Sequence, residues 1–147
     1  MSSENHYRAL EKMYLSAPIN AMYKPQIRIS DKSAEIEMDV KERFFHSAGA
    51  VHGSVYFKML DDAAFFAANS VESAYFVLTV SFTTYLTKSI SGGFMRSVGV
   101  VVNQTRKQII AEAVVYGGDG LEIGRGNGVF VRGKSPLVKA LGYGEGV

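Results

Sequence analysis

The chain has 147 residues, 47% of them hydrophobic and 20% charged, with a net charge of +2. That is a globular composition long enough for a real core, and it excludes a disordered chain; so small a charge, without a basic run, points away from nucleic acid. The absence of cysteine excludes a thiol nucleophile, a disulfide framework and a Cys-ligated metal.

The start, Met1-Ser2-Ser3-Glu4-Asn5-His6, is polar and reads as neither a signal peptide nor a membrane segment, so a soluble cytoplasmic protein is expected. Residues 4–16 read as an amphipathic helix with Leu10, Met13, Tyr14 and Ala17 on one side, ended by Pro18. Residues 24–29 and 33–40 read as a hairpin around Asp31 and Lys32. In its second strand Ala34, Ile36, Met38 and Val40 alternate with Glu35, Glu37 and Asp39, which puts one face on a core and the acidic face in water.

A small-residue stretch follows, Phe45-His46-Ser47-Ala48-Gly49-Ala50-Val51-His52-Gly53. It opens a helix that ends near Asn69 and Ser70, with Gly53 or Ser54 near its cap. Apolar positions fall in two adjacent stripes: Val55, Met59, Ala63 and Phe66, and Tyr56, Leu60, Ala64 and Ala67. Such a helix is apolar most of the way round and belongs inside a protein. Asp61 and Asp62 sit in its middle, and a buried carboxylate is costly unless paired or used. Lys58 lies four residues before Asp62 and three before Asp61, so either carboxylate can be its helical ion-pair partner.

Four more strands are expected at 76–87, 94–104, 108–116 and 121–132, separated by turns at 89–93, 105–107 and 117–120. The segment after Gly133 is glycine-rich and is expected to be loose. The expected organisation is one domain: an N-terminal helix to residue 18, a core over 24–132, and a tail over 133–147. A single buried helix needs an antiparallel sheet curled around it, an α+β arrangement. Gly124, Gly126 and Gly128 share one face of the last strand, which signals either close approach by another chain or ligand, or a bend.

The loop and helix resemble the signature of hotdog-fold acyl-CoA thioesterases of the phenylacetate-degradation, PaaI-like, type. That pattern is Asn-x-x-Gly-x-x-His-Gly-Gly, with an Asp nine residues after the His. This chain has Gly49, His52, Gly53 and Asp61 at those places; His46 stands for the Asn and Ser54 for the second Gly. The resemblance covers roughly residues 24–132 and implies the hotdog fold, an acyl-CoA substrate with coenzyme A as leaving group and no separate cofactor, and at least a homodimer, with a homotetramer expected. His46, His52, Asp61 and Asp62 could hold a metal on paper, but they form no compact ligand motif, so none is expected.

Thioester hydrolysis needs a polarised carbonyl and an activated water or a nucleophile. A helix N-terminus has unpaired N–H groups and partial positive charge, so the Gly53 N–H is the candidate carbonyl clamp. Asp61 is the candidate general base or nucleophile. Eight residues of helix separate the two, about 12 Å, too far for one thioester to meet both in one chain. If both act, they come from different subunits. A structural carboxylate at a subunit interface is the alternative for Asp61.

His52 is expected to cap the helix or steady the loop. His46 can donate a hydrogen bond where the family has Asn. Ser54 keeps a small cap with a hydroxyl. Thr79 matches a hydroxyl position near the family's site, and Arg106 and Lys107, at a hairpin tip, are candidates for the coenzyme A phosphates. Tyr56, Phe57, Phe65, Phe66 and Tyr85 could line an acyl pocket or serve as core. A non-catalytic acyl-CoA-binding hotdog protein is the alternative function; a hydratase is disfavoured because its Gly-Asp-x-Asn-Pro-x-His run is missing.

Overall fold

The computed structural model describes residues 2–144. Helix α1 (Ser3–Ser16) starts at Ser2, whose hydroxyl accepts the Asn5 N–H. After Pro18 a four-residue helix, α2 (Asn20–Tyr23), turns the chain into the hairpin β1 (Gln26–Ser30) and β2 (Ser33–Asp39). The long helix α3 (Gly53–Asn69) is followed by β3 (Tyr75–Leu86), β4 (Phe94–Gln104), β5 (Ile109–Gly117) and β6 (Glu122–Pro136). The six strands form one antiparallel sheet in the order β1-β2-β4-β5-β6-β3. This is the α+β hotdog arrangement, a curled sheet around a central helix.

Both predicted stripes of α3 are buried: Val55, Met59, Ala63 and Phe66, and Tyr56, Leu60, Ala64 and Ala67. The sheet meets them with the alternate residues of each strand. Ile36 and Met38 of β2, Met95 and Ser97 of β4, and Ile109, Ala111, Ala113 and Val115 of β5 all point inward and are buried. Small residues at the middle of the sheet bring helix and sheet backbones together. At Gly99 a Cβ would overlap the Ala63 carbonyl and the Ala64 amide. The Ser97 hydroxyl, fully buried nearby, meets no hydrogen-bond partner. Ser97→Ala is therefore expected to raise stability by about 1 kcal/mol, the relief of an unpaired buried hydroxyl; urea unfolding midpoints of the two proteins check it.

The acidic face of β2 lies in water, as its alternation predicts, with Glu35 bridged to Arg96 at 2.9 Å. Two expectations need correction. The segment after Gly133 is not loose: β6 runs on to Pro136, and Leu137 and Tyr143 are buried. Residues 145–147 of that segment lie outside the described residues. The close approach at Gly126 and Gly128 comes from this chain itself, from the Phe82 ring and the β3 carbonyls of Ser81 and Thr83.

The two ends of the described chain meet at the C-terminal end of α3. The buried His6 ring bonds the Asn69 carbonyl through Nε2 at 2.9 Å and the Tyr143 hydroxyl through Nδ1 at 2.8 Å. Burial holds its pKa below the ordinary imidazole value.

Strand β3 is a sheet edge, twelve residues long. Leu78, Val80, Tyr85 and Leu86 are exposed on it. A long apolar edge is a ready template for another strand.

Candidate active site

Asp61 sits midway along α3, partly covered by β3, and its carboxylate accepts the Thr79 hydroxyl at 3.0 Å. Burial pushes its pKa up to about 6; the Thr79 hydrogen bond opposes this, the Asp62 charge adds to it, and the Lys58 ammonium opposes it. A carboxylate that titrates near neutrality in a cleft is suited to taking a proton, because it is both ionised and basic at working pH.

Thr79 reaches Asp61 through an irregularity of its strand. Between Thr79, paired with Phe130, and Ser81, paired with Val129, one residue, Val80, has no partner in the register. This bulge bends the edge strand beside the carboxylate. Val77 is buried before it, and Phe82 packs toward the core after it.

Asp62 has a separate set of partners. Lys58 Nζ lies 2.6 Å away and the Tyr14 hydroxyl donates at 2.7 Å. The same ammonium stands over the Tyr14 and Tyr23 rings, at 5.3 and 4.9 Å. The predicted Lys58 pairing thus goes to Asp62 and leaves Asp61 facing Thr79.

The start of α3 is built by the small-residue loop. His52 is the N-cap: its Nδ1 accepts the Ser54 N–H at 3.1 Å and bonds the Ser54 hydroxyl at 2.8 Å. The Gly53 N–H is in the first turn, where an intrahelical acceptor does not exist. Backbone bonds from His52 to Phe44 and from Val51 to Ile90 hold the loop in place. His46 is exposed, accepts the Ala48 N–H at 3.0 Å, and lines a depression of about 280 Å³ with Tyr56, Leu86 and Lys88. Asp61 is not part of that depression.

The structure therefore brings the predicted residues together in two groups. His46, His52, Gly53 and Ser54 gather at one end of α3; Asp61 and Thr79 gather at its middle, about 12 Å along the axis from Gly53. Arg106 and Lys107 lie in the turn between β4 and β5 and line neither group.

Asp61 and Thr79 stand at a cavity of about 240 Å³. Phe65 and Phe66 of α3 and Phe76 of β3 form one side. Met13, Tyr14, Ala17 and Ile19, from α1 and the start of α2, form the other. The sequence marks Phe65 and Phe66 for such a pocket, but Tyr56, Phe57 and Tyr85 lie outside it. The N-terminal wall carried one usable signal, the Met13–Tyr14–Ala17 stripe of an amphipathic helix. Among the described residues no three His, Cys, Asp or Glu side chains gather as metal ligands, and no helix is long and apolar enough to cross a membrane.

No curated protein matches the chain. Solved structures do. The Escherichia coli PaaI protein of the phenylacetic acid degradation operon superposes with a TM-score of 0.82 at 15% identity, over 91% of this chain and 97% of that one. A thioesterase family protein from Silicibacter pomeroyi gives 0.74 at 24% identity, over 84% and 96%. A variant of a Pseudomonas aeruginosa thioesterase gives 0.74 at 16% identity, over 84% and 89%. These likenesses establish the shared fold. The family model for the thioesterase superfamily matches residues 48–123, a stretch that holds His52, Gly53, Asp61 and Thr79. With more than half its length in that match and the hotdog architecture throughout, the chain belongs to the thioesterase superfamily.

Proposed function

We propose that the protein hydrolyses an acyl-CoA thioester to a free acid and coenzyme A, at sites shared between the two subunits of a homodimer. The observation that carries this reading is Asp61: a partly buried carboxylate with a raised pKa, held by Thr79 at the mouth of an apolar cavity. Each site joins Asp61 of one subunit to the Gly53 N–H of the other. The exposed apolar edge of β3 supplies the pairing surface.

In one route Asp61 takes a proton from water as the oxygen attacks the thioester carbon. The carbonyl oxygen gains negative charge facing the Gly53 N–H, then the C–S bond breaks and the thiolate leaves, to be protonated. In the other, the carboxylate attacks directly, the thiolate leaves, and water cleaves the resulting anhydride. Both require ionised Asp61, and both place charge at the helix N-terminus, where an N–H and the helix dipole stabilise it.

Gly53→Pro tests the clamp. Proline is favoured at the first helical position and lacks the N–H. His52 already has the extended backbone, ψ 142, that a residue before proline requires. Among the described residues, the near neighbour of a Cβ at Gly53 is the flexible tip of Leu86. Thiol release from acyl-CoA is expected to fall about 10²–10³-fold with the fold intact. Mixing Gly53→Pro with Asp61→Asn protein, after subunit exchange, is expected to restore about a quarter of wild-type turnover, since half the dimers then carry one intact site of two. No recovery on mixing, with exchange demonstrated, sinks the shared site. Binding of acyl-CoA without thiol release by the wild type would instead favour a non-catalytic binder.

A further inference from the structure

The cavity beside Asp61 has a wall that the hotdog core does not supply. Sheet and central helix form one side; the other is the elbow between α1 and α2. Met13 and Phe66, both buried, close the inner part, while Ile19 is exposed at the rim. Ala17, immediately before the Pro18 break, is the smallest residue on that wall.

The elbow is rigidly placed. Asn20 is buried and its amide donates to the Tyr14 carbonyl at 2.7 Å, tying the first turn of α2 to the last turn of α1. Tyr23 stacks on Phe44 at 5.0 Å and lies under the Lys58 ammonium. The Tyr14 hydroxyl is fixed on Asp62, the neighbour of the proposed catalytic carboxylate. A wall tied within itself and held at three points next to Asp61 measures what enters beside it.

We propose that the α1–α2 elbow is the acyl-length gauge of the site, with Ala17 and Ile19 as the specificity-determining residues. The inference rests on the thioesterase reading of Asp61. The surface offered is aromatic and aliphatic, so the acyl group is apolar. The cavity, about 240 Å³ and open past Ile19, limits the acyl group to medium length. A compact acyl group of that size fits; a long fatty acyl chain runs out past Ile19.

The test compares wild type, Ala17→Phe and Ile19→Ala on straight-chain acyl-CoAs from acetyl to hexadecanoyl. Circular dichroism confirms folding. Wild type is expected to peak near octanoyl. Ala17→Phe fills the cavity and is expected to lower the octanoyl-to-butyryl ratio of kcat/KM by about tenfold or more; Ile19→Ala opens the rim and moves the peak to longer chains by about the value of the methylenes admitted, tenfold in the dodecanoyl-to-octanoyl ratio. Folded variants that keep the wild-type profile overturn the gauge. A second arm measures binding of octanoyl-CoA and coenzyme A to Asp61→Asn protein with and without Ala17→Phe. Preference for octanoyl-CoA that Ala17→Phe abolishes supports the gauge even if the wild type releases no thiol, in which case only the catalytic reading falls. Equal affinity for octanoyl-CoA and coenzyme A overturns the gauge even if hydrolysis proceeds.

Discussion

Asp61→Asn is expected to lower kcat for thioester cleavage by about 10²–10⁴-fold, the usual worth of a positioned acid or base. KM should change little, because Asn has the same shape and still accepts the Thr79 hydroxyl. In the wild type, kcat/KM should rise with pH through about 6, where the carboxyl ionises, and then level off. Stability should move the other way. A carboxyl whose folded pKa is raised binds its proton more tightly in the folded state, so stability falls as pH rises from the ordinary carboxylate range to about 6. Asn removes that cost. A gain of about 1–2 kcal/mol at pH 8, allowing for the water that still reaches the group, should shrink toward zero below about pH 4. Turnover assays and urea unfolding at both pH values check the pair of effects. Asp62→Asn is the control. It weakens the bonds to Lys58 and Tyr14, so it should lower stability yet keep turnover within a few-fold of wild type. It should also move the acid limb of the pH profile downward, since the Asp62 charge raises the Asp61 pKa. Wild-type turnover in Asp61→Asn would end the assignment.

Gly99→Val is expected to prevent the folded protein from accumulating. A Cβ at Gly99 falls inside backbone atoms of Ala63 and Ala64, in the middle of α3. Backbone in a packed helix cannot step aside as a side-chain tip can, so helix and sheet must separate along their main contact. Gly99→Ala should already cost about 3 kcal/mol. Gly92→Ala provides the comparison: a Cβ there meets nothing within 4 Å, and stability should barely change. Soluble yield and thermal unfolding of the three variants decide the matter; a well-folded Gly99→Val protein would refute the argument.

Much of this is legible in the sequence alone, wherever a period repeats. The two stripes of α3 and the alternation of Ala34, Ile36 and Met38 each contain enough repeats to define a buried face. Helical spacing marked Lys58 for one of the two aspartates, and the structure gives it to Asp62. What escaped lacks repetition. Helix α2 has four residues, too few for a period, and Pro18 hides it by looking like a stop. The Val80 bulge leaves no mark on a run of strand-favouring residues. Leu137 and Tyr143 are two isolated anchors in a segment of glycines and lysines, and isolated anchors resemble a tail. The cavity wall escaped for a different reason: it joins residues some forty to sixty positions apart, and nothing local in Ala17 or Ile19 announces Phe65 or Phe76.

The bond between His6 and Tyr143 spans 137 positions. During synthesis His6 leaves the ribosome 137 residues ahead of the hydroxyl that completes its buried imidazole. Domains begin to organise while the chain is still growing, so the sheet from β1 to β5 can assemble around α3 with His6 still lacking that partner. Because α1 also carries Met13 and Tyr14, this wall of the cavity reaches its final bonding only when translation has passed Tyr143. A nascent chain stalled short of that point would display Asp61 beside an unfinished pocket, whose N-terminal wall is secured only once Tyr143 has emerged.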